Sequence, residues 1–137
     1  MIKKKKILSI DYGIKRCGLS ITNNNNNLAI GLYCIKTKKI FNFLEIIIKK
    51  ENIYIIVLGY TTNNNNKINK DIFNFKKKLL ILYPNLIIDL INERYTSKIA
   101  KYYLMNISKS KKYLKKQINI LSSTLILQSY LKINNKI

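Results

Sequence analysis

The stretch ILSIDYGIKRCGLSIT, residues 7–22, decides the fold. Apolar residues fill positions 6–11 almost without a break, as in a strand buried on both faces. A short turn, residues 12–16, breaks the run, and CGLSIT at 17–22 resumes it as a second strand. Asp11 closes the first strand, directly before Tyr12-Gly13. The chain holds only six Asp and Glu against 26 Lys and Arg. A carboxylate spent at a strand end in so basic a chain marks a candidate site.

Working outward, residues 31–37 read as a third strand. The asparagine run at 23–27 supplies its turn, because Asn tolerates turn geometry, and the three strands form an antiparallel meander. The period then changes. Ile40, Phe41, Leu44, Ile47 and Ile48 recur at helical spacing. IYIIVLG, residues 53–59, is a buried strand. Ile68, Ile72, Phe75, Leu79 and Leu82 mark a second helix that must end near Pro84. NLIIDLIN, residues 85–92, is a fifth strand. Thr96 or Ser97 can cap a helix carrying Ile99, Ala100, Tyr103 and Leu104. Residues 108–116 form a polar, basic connection, and residues 118–131 form the last amphipathic helix. The expected architecture is α/β: a five-stranded mixed sheet, made of the meander plus two parallel strands, flanked by helices. No internal repeat or linker divides the chain, so residues 1–137 are expected to form one domain.

Composition narrows the function. The formal net charge is +20, and Lys and Asn are abundant in the low-complexity manner of A/T-rich coding. Whatever its origin, such a surface attracts polyanions, and a nucleic acid is the natural partner. There is no His and no C-x-x-C, which excludes zinc sites and His-based triads. Cys17 and Cys34 read as small strand residues in a reduced cytosol. No apolar run approaches the ~20 residues of a membrane helix, so no membrane partner is expected, and the MIKKKK start lacks the features of a signal peptide. Only two Arg and four Gly survive the compositional bias. Arg16 and Arg94 offer a planar fork that Lys cannot copy. Gly13, Gly18 and Gly59 stand where the backbone requires glycine.

In open α/β sheets, ligands bind beyond the carboxyl ends of the parallel strands. Asp11, Gly59 and Glu93 all fall at or just past such ends, with Gly13 leaving room for a phosphate or metal. Two carboxylates with no His favour Mg²⁺ or Mn²⁺, which take oxygen ligands. Such a cation activates water and stabilises a phosphodiester in transit. The basic segment 109–116, with Lys111, Lys112, Lys115 and Lys116, is expected to bind backbone phosphates. Asp89, further back in its strand, is expected to play a local structural role.

These motifs resemble the YqgF/RuvX-type family of Holliday-junction-resolvase-like proteins and pre-16S rRNA nucleases. IDYGIKRCGLSIT resembles the family's D-x-G-x-K-R-x-G-x-[AS] opening, and IVLG its fourth strand. INERYTSKIA is similar to its D-E-R-[FL]-[TS]-[ST]-x-x-A motif, and KKQINILSSTLILQSYL to its closing helix. The resemblance covers nearly the whole chain. It implies a ribonuclease-H-like fold, a divalent metal, nucleic-acid cleavage, maturation of the small-subunit rRNA 5′ end and a cytoplasmic location. By position, Asp11 and Glu93 become the metal-binding acids. Lys15-Arg16 become the basic pair and Arg94 the motif arginine.

The chain also departs from that pattern. Asn92 replaces the Asp of D-E-R, Thr22-Asn23 replaces a common Ser-Asp, and Tyr60-Thr61 lacks a usual Pro. Asn119 stands where the closing helix supplies a third carboxylate, on one face with Ser122, Ser123 and Ile126. Three functions follow: a nuclease on precursor rRNA, a nuclease on branched DNA, or an RNA- or ribosome-binding module that has lost catalysis.

Overall fold

The computed structural model describes residues 4–60, 66–92 and 111–134, with the side chains of 66–67 and 111–113 left aside. Five strands form one sheet in the order β3-β2-β1-β4-β5. β1 (Lys6–Tyr12), β2 (Arg16–Thr22) and β3 (Ala29–Lys36) are the antiparallel meander, while β4 (Ile53–Tyr60) and β5 (Ile87–Asn92) run parallel to β1. The mixed sheet is as expected. α1 (Ile40–Lys50) follows a 3₁₀ turn at Thr37–Lys39, and α2 (Asn66–Leu82) links β4 to β5. The last helix, α3 (Lys111–Ile133), corrects the sequence reading, because much of the basic connection expected at 108–116 is helical. Its lysines carry no apolar period to reveal a helix, yet Lys has good helix propensity. The helix expected after Thr96 lies outside the described residues.

The central strands are buried on both faces, which explains their continuous apolar runs. One core packs Leu8, Ile10, Leu19, Ile56 and Leu58 against Leu44 of α1 and Phe75 and Leu79 of α2. The other packs Ile7, Ile55 and Val57 against Ile126, Leu127, Tyr130 and Leu131 of α3. Side chains alternate along each strand, so Ile7, Ser9 and Asp11 share the α3 face.

The asparagines are specific turn residues. Asn26 has φ 55° and Asn52 φ 52°, in the left-handed region that Asn tolerates. Asn23 Oδ1 accepts the N–H groups of Asn27 and Leu28, and Asn26 Nδ2 donates to Lys5 O. Asn52 ends α1 and turns the chain into β4.

The glycines act by close approach. No described glycine has a positive φ. A Cβ on Gly18 would lie 1.9 Å from the Asn119 carbonyl oxygen of α3, and one on Gly31 would lie 2.7 Å from Ile120 Cγ2. Beside this contact, the hydroxyls of Ser9 and Ser20 both donate to the Ser123 carbonyl, at 2.9 and 2.8 Å. Ser122, Ser123 and Ile126 are buried beneath the helix. Gly18→Ala should therefore cost more than about 2 kcal/mol in denaturant unfolding, because a helix backbone must move. Gly31→Ala should cost less, since only the end of a side chain must shift.

Candidate active site

Asp11 sits next to last in β1, cross-strand from Gly18, which in turn faces Cys34 of β3. It follows Ile10, the last β1 residue paired with β4, whose partner Leu58 precedes Gly59. Asp11 and Gly59 thus lie together at the carboxyl end of the central parallel pair, where the strand order reverses. Asn119 enters from above, its backbone pressed on Gly18. Its amide Nδ2 lies 3.7 Å from Cys34 Sγ, on the strand beyond β2 as seen from Asp11.

The turn after Asp11 is held tightly. Thr37 Oγ1 donates to Gly13 O at 2.6 Å, and the Thr37 N–H donates to Lys15 O at 3.0 Å. A Cβ on Gly13 would lie 2.4 Å from Arg16 O. The turn's own backbone thus requires a glycine here, and Gly13 also borders the open cleft beside the turn. Cys17 is buried below the turn, with Sγ 3.4 Å from Thr37 Oγ1. Burial pushes its thiol pKa up, and the Asp11 charge adds to this, against opposing hydrogen bonds from Thr37 and the Gly13 backbone.

One open cleft of about 390 Å³ gathers Gly13, Lys15, Arg16, Lys115, Ile118 and Asn119. The predicted basic pair thus meets a predicted lysine of α3 and the predicted site asparagine, though the two segments are about a hundred residues apart in the chain. Lys116 is exposed on α3. Glu93 and Arg94, and the side chains of Lys111 and Lys112, lie outside the described residues. Among the described residues, no three Asp, Glu or Cys side chains come together as a metal cluster. The donor at the end of β1 is nonetheless an oxygen donor, the Asp11 carboxylate, and Asn119 lines the neighbouring cleft. That chemistry fits Mg²⁺, which keeps several waters and needs only one or two carboxylates besides substrate phosphates.

Asp89 has the structural role expected of it. The Tyr130 hydroxyl donates to Asp89 Oδ2, joining α3 to β5. Sequence reasoning missed Tyr130, because a tyrosine at a helical apolar position gives no sign of its polar partner. Burial and the Asp89 carboxylate raise the Tyr130 pKa above its ordinary value. The folded state thus keeps this proton where the unfolded chain loses it. The stabilisation is complete below about pH 10, the unfolded value, and falls as pH rises beyond it. Tyr130→Phe should lower stability at pH 8 by about 1 kcal/mol and shrink the alkaline loss of melting temperature. Identical alkaline profiles for the two proteins would contradict this assignment.

Comparison with known proteins places the chain. A 45% identical relative from Karelsulcia muelleri (strain GWSS), named "Putative pre-16S rRNA nuclease", aligns over 93% of this chain and 98% of its own length. A relative of the same name from Amoebophilus asiaticus (strain 5a2) is 37% identical over 92% of this chain and 93% of its own. Among solved structures, fowlpox virus resolvase with Holliday junction DNA matches with TM-score 0.57 and 18% identity, covering 94% of this chain and 98% of that one. T. thermophilus RuvC with its Holliday junction substrate matches with TM-score 0.57 and 11% identity, covering 95% and 96%. The fold is therefore ribonuclease-H-like. The family model described as RuvX, Holliday junction resolvase, matches residues 5–133, and the chain belongs to the RuvX family.

Proposed function

We propose that this protein is a metal-dependent nuclease that cleaves phosphodiester bonds of nucleic acid, acting on pre-16S rRNA in the maturation of its 5′ end. The observation that carries the reading is the cleft where Lys15, Arg16, Lys115 and Asn119 converge, beside the β1 end bearing Asp11. Relatives named for pre-16S rRNA support the RNA substrate. The chain then acts as one nuclease domain in the cytoplasm, where ribosomal RNA is processed.

In this reading Asp11 and Glu93 hold Mg²⁺ or Mn²⁺, and the Asn119 amide oxygen completes the protein's share of ligands. Glu93 follows directly on β5, whose residues Asp89 and Ile91 face α3. The bound cation supplies an activated water and charge stabilisation at phosphorus. Lys15, Arg16 and Lys115 grip phosphates flanking the scissile one, with Arg16 able to do so bidentately. Lys111, Lys112 and Lys116 extend the basic track along α3. Arg94, always charged, orients Glu93 or a phosphate rather than moving a proton.

The Asn119–Cys34 contact favours a second reading, an RNA-binding module with a weakened metal site. An amide removes one negative charge from the ligand set, and affinity follows ligand charge. One assay separates these readings: purified protein with Mg²⁺ or Mn²⁺, offered pre-16S fragments and four-way DNA junctions. The nuclease reading expects metal-dependent cleavage of the RNA, abolished by Asp11→Asn. Asn119→Asp should lower the Mn²⁺ concentration for half-maximal cleavage by roughly ten-fold, the scale of single changes around a metal. Preferred cleavage of the junction would move the substrate to branched DNA. RNA binding without cleavage, at any metal concentration and in both backgrounds, would leave the binding module.

A further inference from the structure

We infer that Thr37 is a positioning residue for nucleic-acid binding: it latches the turn that presents Lys15 and Arg16 to the cleft. The inference rests on the nucleic-acid reading above.

The turn must aim two cations outward from a short peptide, in a chain whose charges repel one another. Its own geometry does not secure this. Ile14 at the tip is 63% exposed, and Lys15 is exposed as well. Beyond the β1–β2 pairing that ends at Tyr12 and Cys17, the turn is restrained from the end of β3. Arg16 pairs with Lys36, and the Thr37 N–H extends that ladder by one bond to Lys15 O. The Thr37 hydroxyl then reaches past the ladder to Gly13 O at 2.6 Å. The turn is thus gripped on both sides of its tip by a single residue. A hydroxyl has one proton to give, and here it goes to the Gly13 carbonyl. Cys17 Sγ lies 3.4 Å from the same hydroxyl, so the latch also meets the core.

Such restraint matters for binding. A cation held in place before contact loses less freedom on meeting a phosphate. Thr37 itself need not touch the polyanion. Its contribution passes through the two side chains that it positions.

The test uses the full chain and a fluorescent single-stranded RNA, with the dissociation constant measured across a salt series. Thr37→Val removes the hydroxyl at nearly constant shape. It should weaken binding about five-fold, the scale of one lost hydrogen bond, and flatten the salt slope by up to about 0.7, one phosphate contact on a single strand. Thr37→Ser should restore both. In a Lys15→Ala, Arg16→Ala background, Thr37→Val should have no further effect on binding, because the positioned groups are gone. An equal loss in both backgrounds would show a merely structural role and overturn the inference. So would wild-type affinity and slope in Thr37→Val. Hydrogen exchange on the unaltered protein gives a check that needs no folded variant: the Thr37 amide should be protected relative to Ile14, and equal exchange would refute the latch. If the unaltered protein fails to bind RNA or junction DNA, the nucleic-acid reading falls and the inference with it. Loss in Thr37→Val that Thr37→Ser restores, and that the Lys15→Ala, Arg16→Ala background abolishes, supports the inference.

Discussion

The site depends on one contact, the backbone of α3 lying directly on Gly18. A carbonyl at the distance seen there leaves no volume for a side chain, so the helix reaches the sheet only over glycine. The approach brings polar backbone into a dry interface. Buried polar groups need partners, and the Ser9 and Ser20 hydroxyls meet the Ser123 carbonyl from two neighbouring strands. These hydroxyls fix the helix along its own axis, where apolar packing alone would let it slide. Register of that kind decides whether residue 119 stands over the end of β1 or a turn away from it.

From that contact the chemistry follows outward. α3 carries Lys115 and Ile118 into the same cleft as the β1–β2 turn, and Tyr130 anchors its far end to Asp89 of β5. The cleft lies between the β1–β2 turn and α3, and one wall is basic. At a net charge of +20, the protein repels free cations over its surface as a whole. In the proposed reading, metal binding is therefore local, resting on a few oxygen donors and on the phosphates that a substrate brings. In that reading an amide at position 119 makes the protein's own share of that charge smaller, and dependence on substrate correspondingly larger.

Much of this was legible in the sequence. The apolar runs of β1, β4 and β5 and the helical spacing of α1 and α2 declared themselves, because burial on one or two faces writes a period into the chain. Asp11 was legible through scarcity, being one of six acids placed at a strand end. The start of α3 was not, since its lysines face solvent and interrupt the apolar period. Nor were the duties of Gly18 and Gly31, which concern space occupied by residues about a hundred positions away. Thr37 gave no signal at all: a threonine after a strand is ordinary until its hydroxyl is seen to reach Gly13.

The central claim is that the carboxyl end of β1, under the Asn119 turn of α3, is the cation site. Paramagnetic broadening of amide signals by substoichiometric Mn²⁺ tests it without any need for cleavage. The account predicts broadening centred on Asp11, Gly18 and Asn119, displaced by Mg²⁺ and lost in Asp11→Asn. Broadening centred elsewhere, for instance near Glu51, or unchanged in Asp11→Asn, would contradict it.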